Sequence, residues 1–203
     1  NCSEFYKQDG LFCLNSLGLY GQAIEDFNEA IKLKSDDESN YYNRGLAYYQ
    51  LGQYKKAIFD FNKVIELQPN NQNIYFNRGV SFYQLGQYSQ AIEDFTQIIE
   101  LQPTSEVAYY NRGLVYYQLG QYSQAIEDFT NAIELNSYYQ DAYYCRGQIY
   151  KELNKYNEAI SDYSIIIKLN FKYKEAYLKR AEIYRLQGQI DKAIQDEEYA
   201  KKL

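Results

Sequence analysis

The sequence lacks histidine, methionine and tryptophan altogether, and it has only 2 prolines and 11 glycines among 203 residues. Without histidine, the side chain that most often acts as a general base near neutral pH is missing. So few prolines and glycines do not suit a chain of many turns, and they favour long helices joined by short loops. These absences predict an all-α protein and argue against an enzyme that works by acid–base catalysis.

Cysteine is also scarce, and the 3 examples are Cys2, Cys13 and Cys145. Their number is odd and no two of them form a CxxC pair, so neither a disulfide framework nor a zinc site is expected. Free thiols suit a reducing compartment. We therefore expect a cytoplasmic protein with no metal and no other cofactor.

The sequence also has few positive charges and no long apolar runs. The chain has 21 lysines and arginines against 27 aspartates and glutamates, which gives a net charge of −6. Binding to nucleic acid or to an anionic membrane surface needs a basic face, so neither partner is expected. No apolar stretch approaches the roughly 20 residues that span a bilayer, so direct membrane insertion is not expected either.

Tyrosine is what the sequence has in excess, with 26 examples against 10 phenylalanines, and 46% of all residues are hydrophobic. That is enough apolar surface for a sizeable core. The chain begins at Asn1 without an initiator methionine or a signal-peptide pattern, and it stops at Leu203 within a helical pattern. We expect a piece of a larger chain or complex.

An internal repeat organises the chain. The Arg-Gly pairs end at Gly45, Gly79, Gly113 and Gly147, which are evenly spaced along the sequence. One further step of the same length reaches Ala181 after Arg180, and Gly10 matches Gly45 if the following loop is slightly longer. Six units result, over about 3–37, 38–71, 72–105, 106–139, 140–173 and 174–203. Positions that correspond between units are called a column below, named by the member in the second unit.

Each unit carries two helical patterns separated by a turn signal. Tyr41, Gly45 and Tyr48 lie on one face of the first helix, Gly52 ends that helix, and the pattern resumes with the Ala57 and Phe61 columns. Glycine or asparagine recurs at the stop, as a left-handed helix cap requires. The stop residues are Gly18, Gly52, Gly86, Gly120, Asn154 and Gly188. Small residues in the Gly45 and Ala57 columns allow close helix approach, so those columns and the Tyr41, Tyr48 and Phe61 columns are predicted to form the core.

The motif Tyr41-x2-Arg44-Gly45-x2-Tyr48, followed by Ala57-x3-Phe61 and Pro69, resembles the tetratricopeptide repeat. The resemblance covers nearly the whole chain. It implies an all-α fold: a right-handed α-solenoid of six helix-turn-helix units, about twelve helices, in a single array over 1–203. The terminal units depart from the pattern, with Asp9 in the Arg44 column and Glu197 in the Phe61 column, so the last unit is expected to be a cap or the end of the array.

The arginine column could be a ladder for an acidic ligand or one half of a set of internal ion pairs. Aspartates recur at the same period on the second helix, beginning at Asp26. Because the first unit has Asp9 in place of an arginine, pairing between successive units would satisfy every arginine, whereas pairing within units would leave Asp26 facing Asp9. An arginine near a core needs a partner for its charge, so we predict pairing between units. The predicted pairs are Asp26–Arg44, Asp60–Arg78, Asp94–Arg112, Asp128–Arg146 and Asp162–Arg180.

In proteins similar to this one, the first helices line a concave groove that holds extended peptides. An asparagine in the Asn43 column contacts the ligand backbone there, and asparagine offers both a donor and an acceptor to an amide. The alternative is that these asparagines are simply solvated. The groove candidates of the second to fourth units are Tyr42, Asn43, Leu46, Tyr49, Gln50, Phe76, Asn77, Val80, Tyr83, Gln84, Tyr110, Asn111, Leu114, Tyr117 and Gln118.

Toward the end of the chain the candidate groove becomes charged. Cys145 and Lys179 occupy the Asn43 column, and Lys151 and Arg185 add further cations, so a charged end of a ligand could lie there.

A clamp for the carboxy-terminal carboxylates of heat-shock chaperones, known from related arrays, is incomplete. Lys7 and Asn43 fit two of its places, but Leu11, Asn73 and Asn77 stand where an asparagine and two cations belong.

No catalytic constellation and no Gly-rich phosphate loop is present, so we expect no enzyme. The leading hypothesis is a non-enzymatic scaffold or adaptor that binds a protein or peptide segment in the groove. The alternatives are a structural spacer of a large assembly that uses its convex and edge surfaces, a co-chaperone-like module, and a helical regulatory region cut from a larger enzyme.

Overall fold

The computed structural model describes residues 2–14 and 18–203, and within these residues it contains twelve α-helices and no strand. This confirms the all-α helical-repeat class. The helices are α1 Cys2–Phe12, α2 Tyr20–Leu33, α3 Glu38–Gln50, α4 Tyr54–Leu67, α5 Gln72–Gln84, α6 Tyr88–Leu101, α7 Glu106–Gln118, α8 Tyr122–Leu135, α9 Gln140–Glu152, α10 Tyr156–Leu169, α11 Lys174–Leu186 and α12 Ile190–Lys202.

The chain divides into two compact units, Asn1–Pro103 and Thr104–Leu203. In the N-terminal unit, α1 packs on α2, α3 on α4 and α5 on α6, and successive pairs contact each other through α2 with α3 and α4 with α5. The C-terminal unit repeats this order with the pairs α7–α8, α9–α10 and α11–α12. Each unit is therefore a stack of three helix pairs, and the first helix of each pair carries the Asn43 column or its equivalent.

The turn inside each pair has the backbone that the stop signals predict. Gly52 has φ of 69° and Asn154 has φ of 57°, both in the left-handed region. The Gly52 amide donates to the Tyr49 carbonyl at 2.9 Å, and the Gln53 amide donates to the Tyr48 carbonyl at 2.8 Å. These bonds satisfy the last carbonyls of the first helix, which is how this type of cap ends a helix.

The close approach predicted for the Gly45 column is confirmed. A Cβ atom added at Gly45 would lie 2.7 Å from Phe61 Cε1, so the phenylalanine ring rests directly on the glycine backbone. Ala57 and Phe61 are both fully buried. Ala181 stands in this column only in the pair where Glu197 has replaced the aromatic residue.

The Tyr48 column is half-buried from α3 onward, and in the Tyr41 column Tyr143 and Tyr177 are buried as predicted while the other members are half-buried. Tyr41 and Tyr48 are half-buried, and the first helix instead contributes the Ala47 column to the core. The fully buried members of that column are Ala47, Ser81, Val115, Ile149 and Ile183.

Candidate functional site: the arginine clusters and the first-helix faces

Each arginine of the Arg44 column forms a two-pronged ion pair with an aspartate of its own helix pair. Arg44 Nε donates to Asp60 Oδ2 at 2.9 Å, and Arg44 Nη2 donates to Asp60 Oδ1 at 2.7 Å. The same geometry recurs in Arg78–Asp94, Arg112–Asp128, Arg146–Asp162 and Arg180–Asp196. A fork-to-carboxylate contact of this kind fixes the relative position of the two helices in a pair.

The predicted pairing between successive repeat units is therefore wrong. The pairs Asp26–Arg44, Asp60–Arg78, Asp94–Arg112, Asp128–Arg146 and Asp162–Arg180 do not form, because each arginine takes the aspartate on the second helix of its own pair. Both columns have the same period, so the sequence allowed either pairing, and the argument from the chain end selected the wrong one.

The arginines nevertheless reach the preceding helix pair through a different residue. Arg44 Nη1 donates to Asn28 Oδ1 at 2.6 Å, and Arg146 Nη1 donates to Thr130 Oγ1 at 2.9 Å. The same contact joins Arg78 to Asn62 and Arg180 to Ser164. Sequence reasoning missed this acceptor column, although a hydroxyl or amide side chain two positions after each aspartate, recurring once in every unit up to Ser164, was a usable signal.

Two aromatic rings enclose each guanidinium. Arg44 Cζ lies 5.5 Å from the centre of the Tyr41 ring and 6.0 Å from that of Tyr48. The Arg44 side chain is 14% exposed and that of Asp60 is 1% exposed. Cation–π contact and the ion pair together hold the charge where water is scarce.

The protonation of this pair follows from its surroundings. Burial raises the pKa of Asp60, and the Arg44 guanidinium offsets only part of that rise. Burial alone would lower the pKa of Arg44, but the hydrogen bonds and the charge of Asp60 outweigh it, so the pKa of Arg44 is raised. The arginine column is thus committed to internal contacts and does not offer a ladder of free cations to an acidic ligand.

Asp26 is the exception in the aspartate column. Its helix pair has Asp9 where the others have arginine, and Asp26 Oδ2 is shielded from water without a hydrogen-bond partner among the residues described. Burial raises the pKa of Asp26, and the nearby charges of Asp9 and Glu25 raise it further. Asp9 and Asp26 thus face each other, as expected if each residue of the Arg44 column lies opposite the aspartate of its own helix pair.

The asparagines of the N-terminal unit are held in fixed orientations. Asn43 Nδ2 donates to the Ser39 carbonyl at 2.7 Å, and Asn77 Nδ2 donates to Tyr42 Oη at 3.1 Å. The second bond joins α5 to α3, so the first helices of successive pairs lie side by side. Neither Oδ1 accepts a hydrogen bond from any residue that the structure describes, which leaves an acceptor for a ligand.

The C-terminal unit shows the same arrangement at its start. Asn111 Nδ2 donates to the Val107 carbonyl at 2.7 Å. In the next helix pair Cys145 takes that column, and its thiol lies 3.9 Å from Tyr110 Oη. Burial raises the pKa of Cys145 to about 11, so the thiol stays protonated and is a poor nucleophile near neutral pH.

The aromatic groove candidates belong partly to the core. The Tyr42 ring lies 6.2 Å from Phe61, and the Tyr49 ring lies 5.5 Å from Tyr54. Equivalent contacts join Phe76 to Phe95, Tyr83 to Tyr88, Tyr110 to Phe129 and Tyr117 to Tyr122. Leu46, Val80 and Leu114 are half-buried between these rings, while Gln50, Gln84 and Gln118 are exposed. The candidates thus form a surface of ring edges and amides, called here the first-helix face of each unit.

The predicted cations of the last two helix pairs are mostly engaged. Lys151 pairs with Glu182, and Arg185 makes a two-pronged pair with Glu197. Lys179 lines an open cleft of about 380 Å³ together with Leu178.

Lys7, the cation that fits the incomplete carboxylate clamp, is also engaged in an ion pair. Its Nζ lies 3.3 Å from Asp37 Oδ2.

Comparison with known proteins gives the family. Models of the tetratricopeptide repeat match residues 41–71 and 107–139, 61–93 and 129–161, and 175–196, and a TPR repeat model matches 14–52 and 79–120. The chain belongs to the tetratricopeptide repeat family. Members of this family are protein-interaction scaffolds and are generally non-enzymatic, which supports a protein-binding role for this TPR chain.

Solved structures agree on the fold. A crystal structure of MamA is 28% identical, with a TM-score of 0.74 over 78% of this chain and 92% of MamA. A TPR protein from Parabacteroides merdae is 22% identical, with a TM-score of 0.82 over 96% of this chain and 77% of its own. YrrB, described as a TPR protein with an unusual peptide-binding site, is 20% identical, with a TM-score of 0.69 over 86% of this chain and 90% of YrrB. No curated protein matched in the sequence comparison.

Each helix within residues 2–14 and 18–203 is too short or too polar to span a bilayer. No group of three or more cysteine, aspartate or glutamate side chains in 2–14 and 18–203 could hold a metal ion.

Proposed function

We propose that this TPR chain binds an extended segment of a partner protein on its first-helix faces, as a non-enzymatic scaffold or adaptor. The observation that carries the proposal is the state of Asn43, Asn77 and Asn111. Each side chain is oriented by a bond from its amide nitrogen, and each keeps its carbonyl oxygen and a second N–H available. A peptide backbone presents the complementary acceptor and donor at each residue.

The surroundings suit a segment of varied sequence. Aromatic rings and half-buried aliphatic side chains share the first-helix faces with the asparagines, so a ligand would gain apolar contact without a demand for one particular side chain. Among the predicted groove cations, Lys151 and Arg185 are engaged in ion pairs. We therefore infer recognition through the ligand backbone, with specificity from apolar side chains. Three free cysteines support a reducing, cytoplasmic setting.

The test is peptide binding to the intact chain. Peptides selected from a random library on this chain are measured by fluorescence anisotropy against a triple variant, Asn43→Ala, Asn77→Ala and Asn111→Ala. The variant should bind at least about tenfold more weakly, because each lost amide removes a hydrogen bond of about 0.5–1.5 kcal/mol.

The matched control is Ser89→Ala, Ser123→Ala and Asn157→Ala, three exposed polar residues of the second helices. The control should bind as the parent chain does. Undiminished binding by the asparagine variant would place the site elsewhere, and weaker binding by the control alone would favour the convex surface of a spacer.

A further inference from the structure

The residue just before a first helix contacts the first helix of the preceding pair at three junctions inside the compact units. The contact joins the Asn71 column, which precedes each first helix, to the Tyr42 column of the preceding pair. The joined residues are Lys7 with Asp37, Tyr110 with Tyr139, and Tyr144 with Tyr173. The Tyr110 and Tyr139 ring centres are 4.9 Å apart, so one ring covers the other.

The junction between α3 and α5 is open at the same place. Its two residues, Tyr42 and Asn71, line a cavity of about 180 Å³. Val64 and Ile74, each 1% exposed, form the buried wall of this cavity, and exposed Gln68 lies at its edge. A cavity of about 150 Å³ is large enough to bind benzene, so the space holds one aromatic ring.

The cavity is open because Asn71 caps its own helix. Asn71 Oδ1 accepts a hydrogen bond from the Asn73 amide at 3.1 Å, so the side chain is turned toward the start of α5. Tyr139 and Tyr173 begin their helices without a side-chain cap and pack their rings against the neighbouring first helix. The C-terminal compact unit thus shows that a tyrosine ring fits against the Tyr42 column in this repeat.

The cavity shares its walls with the asparagines of the proposed binding site. Ser39 lines the cavity, and its carbonyl accepts the bond that orients Asn43. Tyr42 lines it too, and Tyr42 Oη accepts the bond from Asn77. A segment that hydrogen-bonds to Asn43 and Asn77 would pass the mouth of the cavity, with one of its own side chains in reach of it.

The lining favours an uncharged ring. Glu38 lines the cavity, and its Oε1 already accepts a hydrogen bond from Gln68 Nε2 at 2.7 Å. An acidic side chain would be repelled by the Glu38 carboxylate. An aromatic ring gains from tilted contact with the Tyr42 ring, and a tyrosine hydroxyl can donate to a polar group at the edge.

We propose that the cavity between α3 and α5 is a subsite for an aromatic side chain, tyrosine or phenylalanine, of the segment bound on the first-helix faces. The inference rests on the proposed function and adds one side chain that the N-terminal compact unit selects. The ligand's ring packs against Tyr42 in the way that Tyr139 packs against Tyr110.

Asn71→Tyr tests the proposal by filling the subsite with a ring of the chain itself. The tightest peptide from the random library is compared with forms in which each aromatic residue in turn is changed to alanine. At one position the change should weaken binding to the parent chain about tenfold or more, by fluorescence anisotropy, but weaken binding to Asn71→Tyr less than about twofold.

Asn70→Tyr is the matched control, because its counterpart Tyr138 is 76% exposed. This variant should keep the preference of the parent chain for the ring. Circular dichroism checks that both variants are folded. A readout on the parent chain alone is the NMR signal of the Val64 and Ile74 methyl groups, which the ring of the peptide should shift and its alanine form should not.

Three results would overturn the subsite: a selected peptide without an aromatic residue, an equal loss on the parent chain and on Asn71→Tyr, or tighter binding when arginine replaces the ring. Self-association of the parent chain that Asn71→Tyr removes would also overturn it, because a second copy would then be the occupant.

Failure of the proposed function gives a different result. The Asn43, Asn77 and Asn111 variant would then bind undiminished while the ring dependence remained, which would keep the subsite and remove the asparagine contacts. Binding that depends on the asparagines but on no ring would remove the subsite and keep the proposed function.

Discussion

Arg78 shows how much a single side chain does in this repeat. It pairs with Asp94 through two nitrogens, reaches Asn62 of the preceding pair with the third, and lies between the rings of Tyr75 and Phe82. One residue therefore sets both the closure of its own helix pair and the contact to the preceding one. Because Asp94 is buried, removal of Arg78 alone should leave an uncompensated charge and cost about 3–5 kcal/mol.

A double-mutant cycle tests this arrangement at residue scale. Arg78→Leu combined with Asp94→Leu should show a coupling energy of about 0.5–3 kcal/mol in urea unfolding, since the two side chains share one interaction. The control cycle combines Arg78→Leu with Asp60→Leu, and its effects should add to within about 0.5 kcal/mol. Coupling of Arg78 to Asp60 in place of Asp94 would instead support the predicted pairing between successive repeat units.

Asp26 should make stability depend on pH in an identifiable way. Its pKa is raised above the ordinary value of 3.8, so its ionised form is less stable in the folded chain than in the unfolded chain. That penalty is fully present above the folded pKa and disappears as pH falls through the folded pKa toward 3.8. Asp26→Asn should therefore raise the free energy of unfolding by about 1 kcal/mol at pH 7, because the neutral amide removes the repulsion from Asp9 and Glu25 and can donate to the Asp9 carboxylate.

The gain should shrink toward zero at about pH 3, where both chains carry an uncharged group at this position. Urea melts at the two pH values measure it, with Asp36→Asn, an exposed acid of the following loop, as the control. A gain of equal size at both pH values would mean that charge is not the cause.

At the scale of the elements, the spacing between paired helices depends on glycine. A Cβ atom at Gly45 would lie 2.7 Å from the Phe61 ring, whereas one at Gly21 on α2 would meet nothing within 4 Å. Gly113 is nearly as tight as Gly45, at 2.9 Å from Phe129. The close contact, and not helix propensity, explains why glycine occupies the Gly45 column.

Gly45→Ala should consequently destabilise the chain by about 1–3 kcal/mol through overpacking, offset in part by the better helix propensity of alanine. Gly21→Ala should stabilise it by about 0.5–1 kcal/mol, because only the propensity changes. Thermal melts of both variants measure these changes in stability. A stabilised Gly45→Ala chain would show that the Phe61 ring can move aside at little cost.

At the scale of the whole molecule, contacts divide the chain into Asn1–Pro103 and Thr104–Leu203. Each unit holds three helix pairs, and about three repeats are needed before stacked repeats are stable. The single array over 1–203 therefore remains a prediction, while each compact unit has the number of repeats that independent folding requires.

Separate expression of the two units tests that independence. Residues 1–103 and 104–203 should each give a helical circular dichroism spectrum and a cooperative urea transition, because the stability of stacked repeats is a sum of neighbouring terms. An unfolded fragment would show that its stability comes from the remainder of the chain.

The regular period of the sequence determined a large part of this protein without any coordinates. It predicted twelve helices, the glycine stops and the contact of Gly45 with Phe61, because each depends on a local pattern or on a spacing within one helix pair. The side chains of Asn43, Asn77 and Asn111 also lie on the first helices as expected, although the sequence did not show that each is oriented by its own bond.

Only the tertiary structure decided how the charged columns pair. Arginine, aspartate and the polar acceptor all recur with the same period, so any shift by a whole unit fits the sequence equally well. The interatomic distances select one arrangement. Arg44 pairs with Asp60, donates to Asn28 of the preceding helix pair, and lies between the rings of Tyr41 and Tyr48. The cavity beside Tyr42 is likewise a property of the folded chain, because only the contacts show that Asn71 caps its own helix while Tyr139 packs on a neighbouring ring.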